Sequence, residues 1–313
     1  MKIKLKLAII GLMAYCSSQS ANAQEGSVKV TQRENTNKTV DFSFDKTDPG
    51  TYTVIMKFSN LTNTYGQNEQ LFTIKGYSGR LTSLTPTNKE QGIGYSYNYS
   101  YIKGKLKPKY DPNFLYLLPC KNGSKLFVAE SSFVNATYFG NTTPDDWKVY
   151  TFFTKEEDTV TAVRKGIVIN VIDLYETNSS EGVAFSSRTN EITIEHADGT
   201  LATYRGFKKG STLVKIGQTV FPGNTLGINT KMYNNTRYSI SLMVSYLKSA
   251  DFESTKNKTL ATTKSLYGFI TPHFQTAEGS DVILIPQKEY TALCNPEIIK
   301  KEFSKKELKQ EIK

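Results

Sequence analysis

The sequence predicts an all-β protein with one short helix at its C-terminus. Segments that alternate apolar and polar residues recur along the chain, and turn-forming glycine, proline and asparagine residues separate them. No helix of any length fits residues 28–110. The chain has 313 residues, which is enough for one large domain or two of ordinary size. We therefore expect two successive β domains, followed by the helix.

The first 23 residues predict a signal peptide. Three lysines precede an apolar run at residues 7–15, which is too short to span a bilayer. Small side chains within residues 21–23 suit a signal peptidase, so we place cleavage before Gln24. The alternative is a lipoprotein signal acylated at Cys16, which the bulky Tyr15 disfavours. No later stretch is long and apolar enough to span a membrane, so we expect an exported protein in the periplasm, in the cell envelope or outside the cell.

Net charge limits the classes of partner that the sequence predicts, and cysteine content limits the possible disulfides. Loss of the three signal-peptide lysines lowers the formal charge from +10 to +7. This charge suits either solubility or association with anionic envelope polymers and lipid headgroups. No compact Lys/Arg cluster is interleaved with aromatic residues, so nucleic acid is not an expected partner. Cys120 and Cys294 remain after cleavage, and they form either a disulfide, which an oxidising compartment permits, or two isolated thiols.

Residues 24–108 predict a β-sandwich-like domain. Residues 39–44 and residues 51–58 alternate apolar and polar side chains, with a turn signal at residues 48–50 between them. Residues 93–101 alternate tyrosines with small polar residues. This spacing is typical of one face of a packed sheet.

Two prolines and several lysines between residues 103 and 112 indicate a domain boundary. The second predicted domain therefore spans residues 109–294. Its clearest strands are residues 166–173, residues 191–196 and residues 237–247, each with apolar side chains at strand spacing.

Residues 295–313 predict a basic C-terminal helix. Asn295 is a favourable N-cap, Pro296 suits the first turn, and Glu297 lies near the positive end of the helix. From residue 300 onward the sequence contains six lysines and three glutamates, and this excess of positive charge favours an anionic partner. The residues predicted to form an apolar stripe are Ile298, Ile299, Phe303 and Leu308.

Five short motifs follow one another through the second domain. Residues 161–168 fit A-x-R-x-G-x-V, and residues 192–199 are close to V-x-I-x-H-x-D-G. Residues 203–207 fall where T-x-Y-x-H-L is expected, with the tyrosine kept, and residues 214–227 fit a glycine-turn pattern. Residues 116–119 complete the series at its start. In order and spacing these motifs resemble the lysostaphin-like (LytM-type) zinc endopeptidases. The resemblance implies an all-β, duplicated-hybrid-motif fold with a groove across one face; the alternative is an unrelated β-sandwich that shares turn residues.

The resemblance also implies where a zinc site would lie. The family holds one zinc ion with a histidine, an aspartate and the second histidine of an H-x-H strand motif, and further histidines assist catalysis. In this chain the H-x-H pair aligns with Ser239 and Ser241, and the histidine of Y-x-H-L with Gly206. The metal aspartate aligns with Thr151, and the first metal histidine falls near Tyr138. Hydroxyl groups are poor zinc ligands at neutral pH, so no metal ligand and no catalytic residue is predicted.

The remaining histidines do not restore the site. The mature chain contains only His196, which aligns with a position that shapes the family's hairpin, and His273, which follows the motif region. A shifted alignment brings Asp145 or Asp146 to the aspartate position, but no histidine accompanies it. The positions of the degenerate site, interpreted as a possible binding groove, are Thr151, His196, Tyr204, Gly206, Ser239 and Ser241.

These features predict an exported, non-catalytic pseudopeptidase that binds or scaffolds in the cell envelope, without a cofactor. The expected partners are a peptidoglycan peptide or glycan, or an envelope protein. The alternative is an active zinc metalloendopeptidase that hydrolyses peptidoglycan peptide cross-links, and only this alternative requires zinc.

Overall fold

The computed structural model describes residues 27–134, 137, 140–176, 189–232, 237–251, 258–259 and 263–311. Strands are the dominant regular structure of these residues, and two short helices follow them near the C-terminus, which confirms the predicted all-β class. The predicted signal peptide and Tyr138 lie outside the described residues. Among the described residues, no helix is long and apolar enough to cross a membrane.

Six strands build the N-terminal part as two three-stranded antiparallel sheets, in the orders β1-β2-β5 and β4-β3-β6. One hydrophobic cluster takes side chains from both sheets, as in a sandwich. The strands are β1 (Val28–Glu34), β2 (Val40–Lys46), β3 (Tyr52–Thr62), β4 (Glu69–Ile74), β5 (Ser78–Leu84) and β6 (Gly94–Lys103).

The alternation read from the sequence decides which side chains fill this cluster. Phe42 of β2 is fully buried and packs edge-on against Phe58 and Tyr97, with ring centroids 5.2 and 5.1 Å apart respectively. The tyrosines of β6 are partly buried against the same cluster. Their regular spacing is therefore a packing feature of the sandwich, as the sequence predicted.

The second part is built around a ten-stranded sheet. Its main path runs β14-β11-β12-β13-β17-β9-β8-β20, and β16 and β18 also pair with β17. Two smaller pairings, β10 with β15 and β7 with β19, complete it. The strands are β7 (Leu115–Leu117), β8 (Lys125–Glu130), β9 (Tyr150–Thr154), β10 (Thr159–Thr161), β11 (Gly166–Ile172), β12 (Glu191–Glu195), β13 (Leu201–Arg205), β14 (Thr219–Val220), β15 (Thr225–Ile228), β16 (Thr230–Met232), β17 (Arg237–Leu247), β18 (Tyr267–Phe269), β19 (His273–Gln275) and β20 (Glu289–Thr291).

Strand β17 is central because it pairs with β13 on one side and β9 on the other. Ile240, Leu242 and Val244 alternate along it and are buried in the core of the second part. The intervening residues face the opposite side of the sheet, since successive strand residues point to opposite faces. Ser239 and Ser241 are on that second face.

Buried polar contacts join the two parts. The backbone nitrogen of Thr51 donates to the Glu195 carboxylate at 2.6 Å, and the Thr51 hydroxyl donates to the same carboxylate. The Lys107 nitrogen donates to the Leu247 carbonyl at 2.8 Å, which attaches the segment at the predicted boundary to β17. The N-terminal sandwich is thus bonded directly to the second part.

The C-terminal region differs from the single predicted helix. It forms α1 (Pro296–Lys300) and α2 (Lys305–Glu311) with a break between them. Asn295 caps α1 as predicted, accepting from the Glu297 nitrogen at 2.9 Å. At the break, Phe303 turns onto the ring of Phe221, with centroids 4.8 Å apart.

A second cap explains why the helix restarts after the break. The Ser304 nitrogen donates to the Glu307 carboxylate at 2.6 Å, and the Glu307 nitrogen donates to the Ser304 hydroxyl at 3.3 Å. This reciprocal pair is a capping box, which starts a new helix. The predicted apolar stripe is accordingly interrupted: Ile298 is buried, whereas Leu308 is 38% exposed.

Of the two alternatives for the cysteines, the structure has two separate thiols and no disulfide. Cys120 is buried in the hydrophobic core of the second part, whereas Cys294 is only partly buried, and both are free thiols. The side chains lie in different environments, which accounts for the two separate thiols. Burial raises the pKa of the Cys120 thiol, so it stays protonated at neutral pH.

Candidate functional site

Strand register brings the predicted zinc-site positions together. In the β9–β17 pairing Thr151 lies opposite Ser241, and the two hydroxyl oxygens are 3.0 Å apart. The hydroxyl of Ser131 continues the chain, 2.7 Å from that of Thr151. We call these three residues, together with Ser239, the hydroxyl cluster.

Gly206 adjoins the cluster at the end of β13. Its φ of +113° lies in the region that favours glycine, and an added Cβ would stand 2.5 Å from the Met232 sulfur and 3.0 Å from the Ser239 carbonyl oxygen. A larger residue here requires both a backbone change and displacement of Met232. The position where the family has a catalytic histidine is therefore shaped for glycine in this chain.

Three members of the cluster are closed to solvent, and Ser131 is partly buried. Ser239 is fully buried, and Thr151 and Ser241 are 2% and 8% exposed. The Ser239 hydroxyl has no hydrogen-bond partner among the described residues. The predicted groove is thus packed shut at these positions, so a large ligand does not contact the hydroxyls in this conformation.

The chemistry of these side chains does not fit zinc. Zinc takes imidazole, thiolate or carboxylate ligands, whereas the cluster offers only hydroxyl groups, three of which already bond to one another. Asp146, the candidate from a shifted alignment, accepts from the Phe269 nitrogen at 3.2 Å and lies 3.6 Å from the Lys248 ammonium. Across the described part of the chain, no group of three or more His, Cys, Asp and Glu residues is arranged to hold a metal ion.

Tyr204 lies on the opposite face of the sheet from the cluster. It is fully buried in the core, where its hydroxyl accepts from the Val163 nitrogen at 2.8 Å. This bond ties β13 to the segment between β10 and β11. Tyr204 therefore supports the fold and does not line the groove predicted from the sequence.

His196 is likewise separate from the cluster and sits at the hairpin between β12 and β13. Its Nδ1 is 2.9 Å from the Thr200 hydroxyl, and its Nε2 is buried with no hydrogen-bond partner among the described residues. Burial first, and then the nearby Arg164 charge, lowers the pKa of His196 to about 3. The ring is therefore neutral at physiological pH, and its backbone closes the hairpin by accepting from the Gly199 nitrogen.

A buried arginine next to this hairpin holds the C-terminal tail. Arg164 donates to Asp198 at 2.8 Å and to both carboxylate oxygens of Glu302, at 2.7 and 3.0 Å. Its guanidinium carbon lies 3.6 Å from the centroid of the Phe114 ring. Lys165 adds a 2.7 Å ion pair with Glu307. Two glutamates of the tail, Glu302 and Glu307, are thus bound by the second part, and the described lysines of the tail are exposed.

The accessible feature of this region is a basic pocket of about 470 Å³ beside the hydroxyl cluster. Sequence reasoning missed it because its cations come from four separate segments that only the sheet brings together. The lining residues are Lys125, Phe127, Phe153, Thr154, Lys155, Lys231, Arg237, Tyr238 and Glu289. A second pocket of about 340 Å³ shares Lys231 and Tyr238 with it.

Comparison with known proteins yields fold likeness only. No protein-family model and no curated protein matches the chain. A structure of the SpoIIQ–SpoIIIAH pore-forming complex aligns at 14% identity, with a TM-score of 0.28, over 46% of this chain and 98% of that chain. A putative peptidase M23 from Pseudomonas aeruginosa aligns at 13% identity, with a TM-score of 0.28, over 69% and 87% of the respective chains.

Helicobacter pylori Csd3 aligns at 12% identity, with a TM-score of 0.25, over 70% of this chain and 66% of that chain. All three alignments are loose, and none supports a statement about the function of this chain. The site itself is a hydroxyl-filled cluster in a mostly β protein, with open pockets beside it.

Proposed function

We propose that this protein is an exported, non-catalytic relative of the lysostaphin-like zinc endopeptidases that acts as a binding or scaffolding protein of the cell envelope. The observation that carries the proposal is the hydrogen-bonded pair Thr151–Ser241, whose oxygens are 3.0 Å apart at the two aligned ligand positions. The pair is self-satisfied and buried, so it supplies neither metal ligands nor a base. Export is proposed from the sequence of the first 23 residues.

The physical argument concerns what a zinc hydrolase needs. A catalytic site holds zinc with three protein ligands and keeps one position for water, whose pKa the metal lowers. Here the aligned side chains are two serines and a threonine, and Gly206 has no side chain to move a proton. The open pockets beside the cluster support binding without cleavage. Peptidoglycan peptides or glycans, or an envelope protein, are the proposed partners.

Metal analysis combined with a cleavage assay tests the proposal. The protein is purified from zinc-supplemented culture, its zinc is measured by mass spectrometry, and purified peptidoglycan is incubated with it with and without a chelator. We expect far less than one zinc per chain and no release of cross-link products, while an active zinc endopeptidase assayed in parallel cleaves. The variant Ser241→Ala should give the same zinc content as the unaltered chain.

One equivalent of zinc, lost in Ser241→Ala, together with chelator-sensitive cleavage, would show an active endopeptidase and overturn the proposal. Cleavage that the chelator leaves unchanged would overturn it as well, because the protein would then be a metal-independent hydrolase.

A further inference from the structure

The face that carries the hydroxyl cluster continues into the basic pocket. Arg237, Ser239 and Ser241 are two residues apart on β17 and so share one face, and Phe153 lies two residues from Thr151 on β9. Phe153 pairs with Ser239 across the strands and with Phe127 of β8 on its other side. The closed site and the open pocket are thus neighbouring parts of one sheet surface.

Arg237 lines this pocket over two aromatic rings. Its guanidinium carbon lies 4.1 Å from the centroid of the Phe153 ring and 5.4 Å from that of Phe127. Stacking on aromatic rings restrains the guanidinium plane and leaves its N–H edge free to bind a carboxylate in a bidentate manner. Lys231 is placed similarly, with its ammonium 5.1 Å from the centroid of the Tyr238 ring.

The pocket carries excess positive charge. Four cations and one carboxylate line it. The carboxylate, Glu289, lies 3.8 Å from Lys125, and both side chains are at least half exposed. Within the described ranges, Lys155, Lys231 and Arg237 have no ion pair with a carboxylate. An anionic group entering the pocket therefore meets cations that no carboxylate of the described chain neutralises.

In the second pocket two of the three lysines are ion-paired. Lys208 pairs with Glu157 at 2.8 Å and Lys209 with Glu176 at 2.7 Å. The two pockets adjoin at Lys231 and Tyr238, which line both, and we call them together the groove, with a cationic part and an ion-paired part. Such a groove suits a chain in which charged and uncharged units alternate.

We infer that this groove binds an acidic glycan, a saccharide chain in which carboxylate-bearing sugars alternate with uncharged ones. The carboxylate is bound by Arg237 and Lys231, and the hydroxyl groups of the neighbouring sugar bond to the ion-paired side chains. The linings of both pockets contain aromatic and long polar side chains but no aliphatic residue, which favours a hydroxyl-rich sugar over an apolar peptide segment. The inference rests on the proposed binding role and does not depend on zinc.

Calorimetric titration with a hyaluronan hexasaccharide tests the inference, because this probe alternates acidic and uncharged sugars. Chitohexaose, an uncharged hexamer, is the matched neutral probe. We expect the acidic probe to bind at least about tenfold more tightly, with an affinity that falls as salt rises. Arg237→Gln combined with Lys231→Gln should weaken binding of the acidic probe at least about tenfold. Arg237→Lys should give an intermediate affinity, since lysine keeps the charge but cannot bind a carboxylate in the bidentate manner of a guanidinium.

The control is Lys29→Gln combined with Lys89→Gln, which removes the same charge from exposed sites in the N-terminal part and should change affinity less than about twofold. Melting temperatures of all variants verify folding. Equal binding of both saccharides, equal losses in the two double variants, or tighter binding of an alternating Glu-Ser hexapeptide would each overturn the inference. The zinc and cleavage assays are separate from this titration, so failure of the glycan inference is distinguishable from failure of the non-catalytic proposal.

Discussion

At the residue scale, small polar side chains fill the buried site, and the hydroxyls of Thr151 and Ser241 satisfy each other. The Thr151–Ser241 hydrogen bond contributes on the order of 1 kcal/mol, typical of a net neutral bond. A serine or threonine occupies less volume than a histidine, so the strands can close over the site. The site lies within the continuous pairing of β13, β17 and β9.

The neutral, buried His196 predicts a pH-dependent stability. The unfolded chain takes up a proton near the ordinary pKa of 6.5, whereas the folded chain takes it up only near pH 3. The stability from this group is therefore complete above about pH 6.5 and is lost as pH falls toward 3. The loss approaches about 1.4 kcal/mol per pH unit, the limit for one proton. Urea unfolding between pH 7 and pH 5 should show a flatter dependence in His196→Asn, which keeps a polar partner for Thr200.

Thr203→Ser on the neighbouring strand β13 adds no titrating group and should reproduce the wild-type pH dependence. If His196→Asn and the wild type lose stability in parallel between pH 7 and pH 5, the buried ring is not the source of the loss.

At the element scale, the C-terminal helices are anchored by their acidic side chains. Glu302 lies between α1 and α2 and bonds to Arg164 through both oxygens, and the Arg164 side chain is only 5% exposed. The sequence predicted that the tail packs through its apolar stripe and did not predict this acidic anchor. The lysines of the described tail are exposed, and charge-dependent binding by the helices remains a prediction.

Glu302→Gln should destabilise the protein by about 2 to 4 kcal/mol, because it leaves a buried cation with one carboxylate partner fewer. Urea unfolding at neutral pH measures the change. The matched control is Glu297→Gln at an exposed position of α1, for which a loss of stability below about 0.5 kcal/mol is expected. Similar losses in the two variants would mean that the buried ion pair does not hold the tail.

The break in the predicted helix shows what periodicity alone misses. The spacing of Ile298, Phe303 and Leu308 allowed one continuous helix, and no residue between them has a helix propensity low enough to exclude one. Ser304 and Glu307 form a capping box within that run, and this pattern is the signal for a second helix start. The strands were easier to predict, because a buried face requires strict alternation over many residues.

At the scale of the whole molecule, the two parts are joined through buried polar groups. Glu195 accepts from Thr51 across the junction, and both residues are buried. Burial lowers the pKa of the nearby Lys46, and the carboxylates of Asp48 and Glu195 oppose this lowering. Leaving these buried polar groups without hydrogen-bond partners would cost free energy, so the junction favours one relative placement of the two parts.

Glu195→Ala should loosen this junction, since it leaves the Thr51 nitrogen and hydroxyl buried without their acceptor. We expect trypsin to cut between residues 103 and 109, at the predicted domain boundary, several-fold faster than in the wild type. Gel electrophoresis over time follows the two fragments. Glu90→Ala, in an exposed loop of the sandwich, should be cut at the wild-type rate, and an unchanged rate in Glu195→Ala would show that this contact does not secure the boundary.

The candidate site was predictable only in part, for a reason of scale. Motif order placed Thr151, Gly206, Ser239 and Ser241 near one another, and the sheet register does bring them together. The sequence did not reveal that the cluster is closed, because packing depends on side chains distant along the chain. The basic pocket was hidden for the same reason, since its cations lie between residues 125 and 237 and converge only through pairing of β8, β9, β16 and β17.

The parallel pairing of β7 with β19 has a consequence for how the chain acquires its structure. Leu115 lies opposite His273, so the strand that opens the second part is completed by one made 158 residues later. Pairings this distant form slowly, because a long loop must close before the contact is gained. The second part thus cannot finish folding until nearly all of the polypeptide has been synthesised. For the export proposed here, late completion of the β7–β19 pairing suits transport of the chain before it has folded.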